Sequence, residues 1–239
     1  MKAWLVAGLA LLGGCAPAAG PEPVEWVSIE GDSRPYSAVD ASGAIIEEPS
    51  KGFSIMRRQV SQAEYAACVA DGGCPPLDDE LREADSPELP VTGVSWLDAT
   101  AYAQWLSRRS GVNHRLPGYG EWLLAAGSAY AGEQPLLADA TNPALRWLAD
   151  YERESQRQPL DPQPQPFASQ GVNDQGLRGI AGNVWEWTNS CFSQGPYCGV
   201  RIAAGQHPSG LSEFVRDPIS GACSVGVPPA NLGFRLVRD

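Results

Sequence analysis

The residues of this chain with the widest chemical repertoire are its six cysteines. A thiol can form a disulfide, bind a soft metal ion or act as a nucleophile, and the spacing helps to decide between these uses. No two of them stand in a C-x-x-C pair, and the chain has two histidines, His114 and His207. A zinc site is therefore disfavoured. The cysteines are Cys15, Cys68, Cys74, Cys191, Cys198 and Cys223.

Cys15 follows a short leader with a positive start and ten apolar residues at 3–12. A membrane-spanning helix needs about 20 apolar residues, so this run is typical of a signal peptide. Its end, Leu-Gly-Gly-Cys15, resembles a bacterial lipoprotein signal, which implies a cleaved segment at 1–14 and a lipidated Cys15 on a tether at 15–25. The alternative is an ordinary secretory signal with Cys15 incidental. Ala16 stands where the inner-membrane retention signal would place Asp, so we expect a periplasmic protein anchored in the outer membrane by its lipid alone.

Export would place the remaining cysteines in an oxidising compartment, where disulfides are the default. Cys68 and Cys74 are separated by Val-Ala-Asp-Gly-Gly, and a disulfide can join two cysteines at this spacing where a helix ends. Cys191 and Cys198 bracket a loop with Gly and Pro near its middle. We predict these two disulfides. Cys223 is left over and could instead pair with either member of the second pair.

Composition excludes several classes of protein. The chain has 28 acidic and 17 basic residues, a net charge of −11, which disfavours nucleic acid and anionic lipid headgroups as partners. Hydrophobic residues make up 43% and eight residues are Trp, so the chain can bury a core. Glycine (26) and proline (21) are abundant, which predicts many turns rather than a helical bundle or a solenoid. We expect one domain, at 26–239.

Helix and strand signals are short and scattered. Ser61 and Ser95 each precede an acidic residue by three positions, which predicts two capped helices, the second ending near Gly111. A third helix should follow Pro117. Alternating residues predict strands at 184–188 and 232–237, and the Gln/Pro-rich stretch at 153–170 predicts an extended surface loop.

Four segments in order resemble the formylglycine-generating enzyme family, also called sulfatase-modifying factors. The resemblance covers about residues 24–239 and implies an α+β, C-type-lectin-like formylglycine-generating-enzyme fold with much irregular structure. The Trp and Arg side chains of these segments would build the core and brace buried carboxylates. The segments are Leu-Pro-Val-Thr-Gly-Val-Ser-Trp-Leu-Asp-Ala at 89–99, Arg-Leu-Pro with Glu-Trp at 115–122, Gly-Leu with Gly-Asn-Val-Trp-Glu-Trp at 176–187, and Asn-Leu-Gly-Phe-Arg at 231–235.

The resemblance implies a possible Ca²⁺ site at Glu186 and the carbonyls of Gly182 and Val184. Family members add an Asn or Asp three residues before that Gly, where this chain has Gly179. Calcium takes six to eight oxygen ligands, so the missing side chain would have to be replaced by water. The alternative is that Glu186 is a buried acceptor bonded to turn amides.

The resemblance also implies a place for a redox metal. Family oxidases bind Cu(I) through two cysteines after a glycine turn, and counting from Gly205 puts these positions on Ser209 and Phe214. No cysteine lies anywhere from 199 to 222, so the paired thiols are missing even if the alignment with the family is shifted by a few residues. We therefore expect no Cu(I) and no sulfatase-activating oxidation.

The leading hypothesis is a lipid-anchored periplasmic protein that uses the family fold as a binding or assembly component of the envelope. The alternatives are an envelope oxidoreductase resembling the pyoverdine-maturation branch, and sulfatase activation itself. An iron site at His114 and His207, a Cys223–His207 nucleophile pair, and acid–base roles for Asp98, Glu121 or Glu186 are disfavoured. Contact with a partner or substrate is expected at the loops 32–50 and 153–175 and around 205–217.

Overall fold

Short elements separated by turns make up the structure. The computed structural model describes residues 24–31, 36–39, 45–48, 51–77, 86–130, 164–180, 182–191, 201–205 and 232–238. Of the predicted leader and tether, residues 1–23 lie outside these ranges. The last two residues of the predicted tether lie against the domain, where Val24 packs on the core and Glu25 pairs with Arg57. Within them, no helix is both long enough and apolar enough to cross a membrane.

Three α-helices begin close to the predicted caps. Helix α1 (Gln62–Ala70) is capped by Ser61 and α2 (Trp96–Ser110) by Ser95, each in a reciprocal capping box. Helix α2 ends at Gly111, whose φ of 74° is the left-handed conformation that glycine adopts without a steric penalty. Helix α3 (Tyr119–Ala126) begins at Gly118, which has no side chain to cap it.

The described strands form two small sheets and a hairpin. The antiparallel sheet has the order β1 (Trp26–Ile29), β4 (Phe53–Met56), β9 (Val237–Arg238) and β5 (His114–Arg115). The hairpin pairs β2 (Tyr36–Val39) with β3 (Ile45–Glu48). The third unit has the order β7 (Arg201–Ala204), β6 (Trp185–Cys191) and β8 (Leu232–Gly233), with β6 and β8 parallel.

Residues 232–238 connect the two sheets, because β8 pairs with β6 and β9 lies between β4 and β5. A continuous strand at 232–237 was expected, and that prediction was wrong over 234–236. There the backbone pairs irregularly, with the amides of Val60 and Met56 donating to the carbonyls of Phe234 and Leu236. This break turns the side chain of Arg235 into the interior, where it is fully buried.

In the described part of the chain, the core consists of two apolar clusters, one around α1 and α2 and one around α3. Of the five tryptophans in and around the matching segments, Trp122 and Trp187 are buried. The other three, Trp96, Trp105 and Trp185, are partly buried and pack against the first cluster. Large aromatic surfaces thus compensate for the scarcity of long regular elements.

The described end of the Gln/Pro-rich stretch departs from the expected extended surface loop. Residues Phe167–Ser169 form a 3-10 turn, and Phe167 is buried beneath the guanidinium of Arg58, which lies 4.7 Å from its ring centroid. The amide of Phe167 donates to the carbonyl of Glu88. One aromatic residue therefore anchors this end of the stretch to the domain.

Candidate functional site

Three of the four matching segments contribute a side chain to one buried ion pair and its hydrogen-bond partners. Glu186 on β6 and Arg235 between β8 and β9 are both 0% exposed. Arg235 Nε donates to Glu186 Oε2 over 2.7 Å, and Nη2 donates to Oε1 over 2.8 Å. This two-point geometry uses the planar fork that distinguishes Arg from Lys.

The remaining donors of Arg235 are also satisfied. Its Nη1 lies 3.3 Å from the carbonyl oxygens of both Met56 and Arg57, and Nη2 lies 3.2 Å from that of Arg178. A buried guanidinium is tolerated only when its charge is paired and its N–H groups have acceptors. Arg235 therefore links β4 and the segment before β6 to the C-terminal part of the chain.

Glu186 accepts two further hydrogen bonds from other parts of the chain. The indole Nε1 of Trp122 on α3 donates to Oε2 over 2.9 Å, and Nε2 of Gln59 donates to Oε1 over 2.7 Å. Each carboxylate oxygen thus has two donors. Glu186 is a buried acceptor, although its partners are side chains rather than the turn amides that were considered from the sequence.

Gln59 is the member of this cluster that the sequence does not single out. It is 0% exposed, precedes the first helix cap, and its Nε2 also donates to the carbonyl of Gly179 over 2.9 Å. Its Oε1 is buried with no hydrogen-bond partner among the described residues. No local pattern identifies such a residue, because both of its partners lie more than a hundred positions along the chain.

The other carboxylates of the matching segments also hold the fold together. Asp98 accepts from the amide of Ser95 over 2.8 Å, and Glu121 accepts from the amide of Gly118 over 2.7 Å. Glu121 is also bound at two points by Arg115, over 2.7 and 2.8 Å. These contacts support a capping and bracing role rather than acid–base chemistry.

The segments at 89–99 and 176–187 are joined by the indole groups of both. Trp187 Nε1 donates to the carbonyl of Val94 over 2.8 Å, and Trp96 Nε1 donates to that of Thr188 over 3.1 Å. Buried or half-buried indoles need such acceptors, so the spacing of Trp in both segments reflects a reciprocal contact. Arg201 on β7 covers the ring of Trp96, with its guanidinium carbon 4.0 Å from the centroid.

The residues considered for calcium do not fit a hard divalent cation. Glu186 is the single carboxylate among them, Arg235 already neutralises it, and both its oxygens are occupied by N–H donors. The backbone of Gly205 lies close to the carbonyl oxygen of Val184, since a Cβ added to Gly205 would be 3.3 Å from that oxygen. Gly182 is exposed, whereas Glu186 is buried. Within the described ranges, no group of three or more His, Cys, Asp and Glu side chains could hold a metal ion.

Cys68 and Cys74, the pair favoured by their spacing, form a disulfide with their Cα atoms 5.3 Å apart. The disulfide closes the end of α1 and is buried. Cys191 ends β6, and its side chain is outside the described part of the structure. The remaining positions considered for lipidation, disulfide pairing, copper or nucleophilic chemistry also lie outside the described residues: Cys15, Cys198, His207, Ser209, Phe214 and Cys223.

His114 lies on β5 and is 7% exposed. Its ring centroid is 5.2 Å from that of Trp26, and its Nδ1 is 3.4 Å from Ser110 Oγ. Burial lowers the pKa of this imidazole below its ordinary value and the nearby Arg238 lowers it further, while a hydrogen bond from the imidazole to the backbone of Val112 raises it in part. These surroundings are those of a packed core histidine.

Most of the chain is similar to known proteins. Residues 16–239 match the family model described as the Sulfatase-modifying factor enzyme 1-like domain. Over 174 residues the chain is 35% identical to the formylglycine-generating enzyme of Streptomyces coelicolor, which covers 64% of this chain and 54% of that enzyme. It is also 34% identical over 111 residues to an inactive C-alpha-formylglycine-generating enzyme 2 of Bos taurus, covering 44% and 34%. The chain spans about half or less of the length of these relatives.

Among solved structures, PvdO from Pseudomonas aeruginosa matches with a TM-score of 0.56 and 19% identity, covering 93% of this chain and 100% of that one. At this identity the likeness concerns the fold. Together with the mixed helices and small sheets described above, it confirms the expected α+β fold with much irregular structure.

Proposed function

Because the chain belongs to the family of the sulfatase-modifying factor enzyme 1-like domain and has its fold, we propose that it serves in the bacterial envelope as a lipid-anchored binding or assembly component. In this proposal the family fold is retained as a scaffold. The copper-dependent oxidation of cysteine is absent.

The observation that carries this proposal is the lack of any cysteine from 199 to 222. Cu(I) is a soft ion that selects thiolates, and the two positions matched to the family's paired thiols are Ser209 and Phe214. A hydroxyl and a phenyl ring cannot hold it in their place. Without a bound redox metal at this point, the chain has no means there to activate oxygen.

Two further findings support a non-oxidase role. The acidic residues of the matching segments, Glu186, Glu121 and Asp98, are all engaged in contacts that hold the fold. One matched relative, from Bos taurus, is itself named as inactive. Loss of the reaction with retention of the fold therefore has a parallel among similar proteins.

The lipid anchor is proposed from the leader alone. An apolar segment of ten residues followed by Gly-Gly-Cys15 would deliver the chain through the inner membrane and place a diacylglycerol on the thiol. The acidic domain, with a net charge of −11 for the whole chain, would then be repelled by anionic headgroups. It would stand away from the membrane on the tether at 15–25, accessible to other envelope components.

The proposal is tested by producing residues 16–239 in an oxidising compartment and measuring bound metals and oxygen consumption. The substrates are a sulfatase-type cysteine peptide and phenolic siderophore precursors. We expect no stoichiometric Cu or Fe and no oxygen uptake above that of a heat-unfolded sample. Turnover of the peptide would establish sulfatase activation, and turnover of a phenolic precursor would establish an envelope oxidoreductase. Either result would overturn the scaffold proposal.

A further inference from the structure

Gln59 occupies an unusual position among the polar groups of the core. Its side-chain amide nitrogen joins two acceptors, the Oε1 of Glu186 at 2.7 Å and the carbonyl oxygen of Gly179 at 2.9 Å. Both neighbours can only accept, which fixes the amide with its nitrogen toward them. The amide thus binds an oxygen of Glu186, the carboxylate that the resemblance assigns to Ca²⁺, and the backbone of Gly179, the position at which family members place a further calcium-binding side chain.

We propose that the Gln59 amide takes the place of a bound cation in this chain, so that the Glu186 carboxylate is fully hydrogen-bonded without a divalent metal. The proposal concerns how the fold is held together, and it stands or falls separately from the presence of oxidase activity. Three features of the described residues lead to it.

The first feature is the charge balance. Glu186 and Arg235 are both 0% exposed, and their charges cancel. A divalent cation placed beside this pair would leave two uncompensated positive charges in a region without water access, where electrostatic energies are large. An amide nitrogen supplies the two required hydrogen bonds without adding charge.

The second feature is the occupancy of the acceptors. Glu186 Oε1 already receives Gln59 and Arg235, and Oε2 receives Trp122 and Arg235. A calcium ion takes six to eight oxygens and binds carboxylates directly, so it would have to displace a donor from a closed network. Each displaced N–H group would then be left buried without an acceptor, which is costly.

The third feature is the fit between Gln59 and Gly179. Gly179 has a φ of 61°, and a Cβ there would lie 3.6 Å from Gln59 Oε1 and 3.3 Å from a side-chain carbon of Gln170. An acidic side chain at 179 would therefore start beside the oxygen of the amide, which lacks a donor. Because residue 179 is glycine, no side-chain carboxylate at that position repels Gln59 Oε1. Glutamine at 59 is therefore compatible with glycine at 179.

The test compares thermal unfolding of residues 16–239 in millimolar CaCl₂ and in EDTA. For the wild-type protein we expect the same Tm in both, and no Ca²⁺ retained after gel filtration. A higher Tm in CaCl₂, or stoichiometric Ca²⁺ in the purified protein, would overturn the proposal. This readout does not depend on any enzymatic activity.

The Gln59→Glu variant tests whether the Gln59 amide occupies a position at which a cation can bind. It keeps the shape of the side chain but places a second carboxylate beside Glu186, so we expect a lower Tm in EDTA that CaCl₂ raises again. The matched variant Gln59→Met removes the hydrogen bonds at similar volume, and its lowered Tm should be the same in both solutions. A folded Gln59→Glu protein whose Tm ignores calcium would contradict the proposed placement, and the wild-type comparison remains decisive if that variant does not fold.

Discussion

At the scale of single residues, the structure explains why polar side chains recur in the matching segments. Arg235 is buried because residues 234–236 leave strand geometry and turn its guanidinium onto Glu186. Burying the two ions separately would be unfavourable, whereas burying them as a pair with all donors satisfied is tolerated. The ion pair fixes the position of β6 relative to the C-terminal residues, so its loss should lower the free energy of unfolding.

Glu186→Gln should destabilise the domain by about 3 kcal/mol, because the change leaves the Arg235 charge buried without a partner. It also places an N–H₂ group where the indole of Trp122 or the guanidinium now donates. Urea unfolding monitored by tryptophan fluorescence measures the change. The control is Glu25→Gln, which breaks a surface pair whose side chains are 39% (Arg57) and 63% (Glu25) exposed and should cost less than about 1 kcal/mol. Equal costs for the two variants would contradict this account of the buried pair.

His114 should make the domain less stable as the pH falls through the mildly acidic range. Its folded pKa lies below the ordinary 6.5, chiefly because of burial. Below pH 6.5 the unfolded chain therefore takes up a proton that the folded protein does not, so the contribution present above pH 6.5 is lost as the pH falls toward the folded pKa. In a His207→Asn protein, His114 is the remaining histidine, and its NMR titration gives the pKa directly. A midpoint at or above 6.5 would refute the assignment.

At the scale of elements, the sequence predicts local features well. The caps at Ser61 and Ser95 and the stop at Gly111 were predicted because each depends on residues within four positions. The Cys68–Cys74 disulfide is similarly local. The break at 234–236 and the burial of Phe167 were missed, since both are fixed by partners far along the chain, at 56–60 and at 58 and 88.

Helix α3 offers a test of capping, because its cap residue Gly118 has extended backbone angles that any residue can adopt. Gly118→Ser should stabilise the domain by about 0.5 to 1 kcal/mol, through a new cap bond and a smaller loss of backbone entropy. A Cβ there would meet its nearest atom at 3.5 Å, an ordinary contact. Gly118→Ala is the matched control, since it shares the entropy effect without the hydroxyl. Chemical denaturation that ranks Gly118→Ser below Gly118→Ala would show that no cap bond forms.

At the scale of the whole molecule, three of the four segments identified from the sequence supply Trp122, Glu186 and Arg235 to one network, and the fourth, at 89–99, is joined to β6 by the indole hydrogen bonds of Trp96 and Trp187. Their family and fold were predictable because each segment keeps its residue types at recognisable spacing. The use of Gln59 in that network was not, because a single glutamine carries no pattern. The proposed anchor, residues 15–23 of the tether, and Ser209 and Phe214 lie outside the described residues, so they are tested on the protein itself.

The anchor predicts a clear effect of a single substitution. Cys15→Ser should abolish labelling by a radioactive fatty acid and move the protein from the membrane fraction, because the thiol that would carry the lipid is gone. Cys223→Ser removes a thiol of the same chain without touching the leader and should leave both results unchanged. Continued membrane fractionation of Cys15→Ser would indicate another mode of attachment.

The most direct test of the central claim is a Cu(I) titration of residues 16–239 against a chromophoric chelator. We expect the wild-type protein to take no stoichiometric Cu(I) from the chelator, because the matched positions are Ser209 and Phe214. A Ser209→Cys/Phe214→Cys double variant should acquire one equivalent, whereas Ser209→Cys alone should not, since it restores one of the two matched thiols. One equivalent of Cu(I) bound by the wild-type protein would contradict the claim that this chain has lost the copper site.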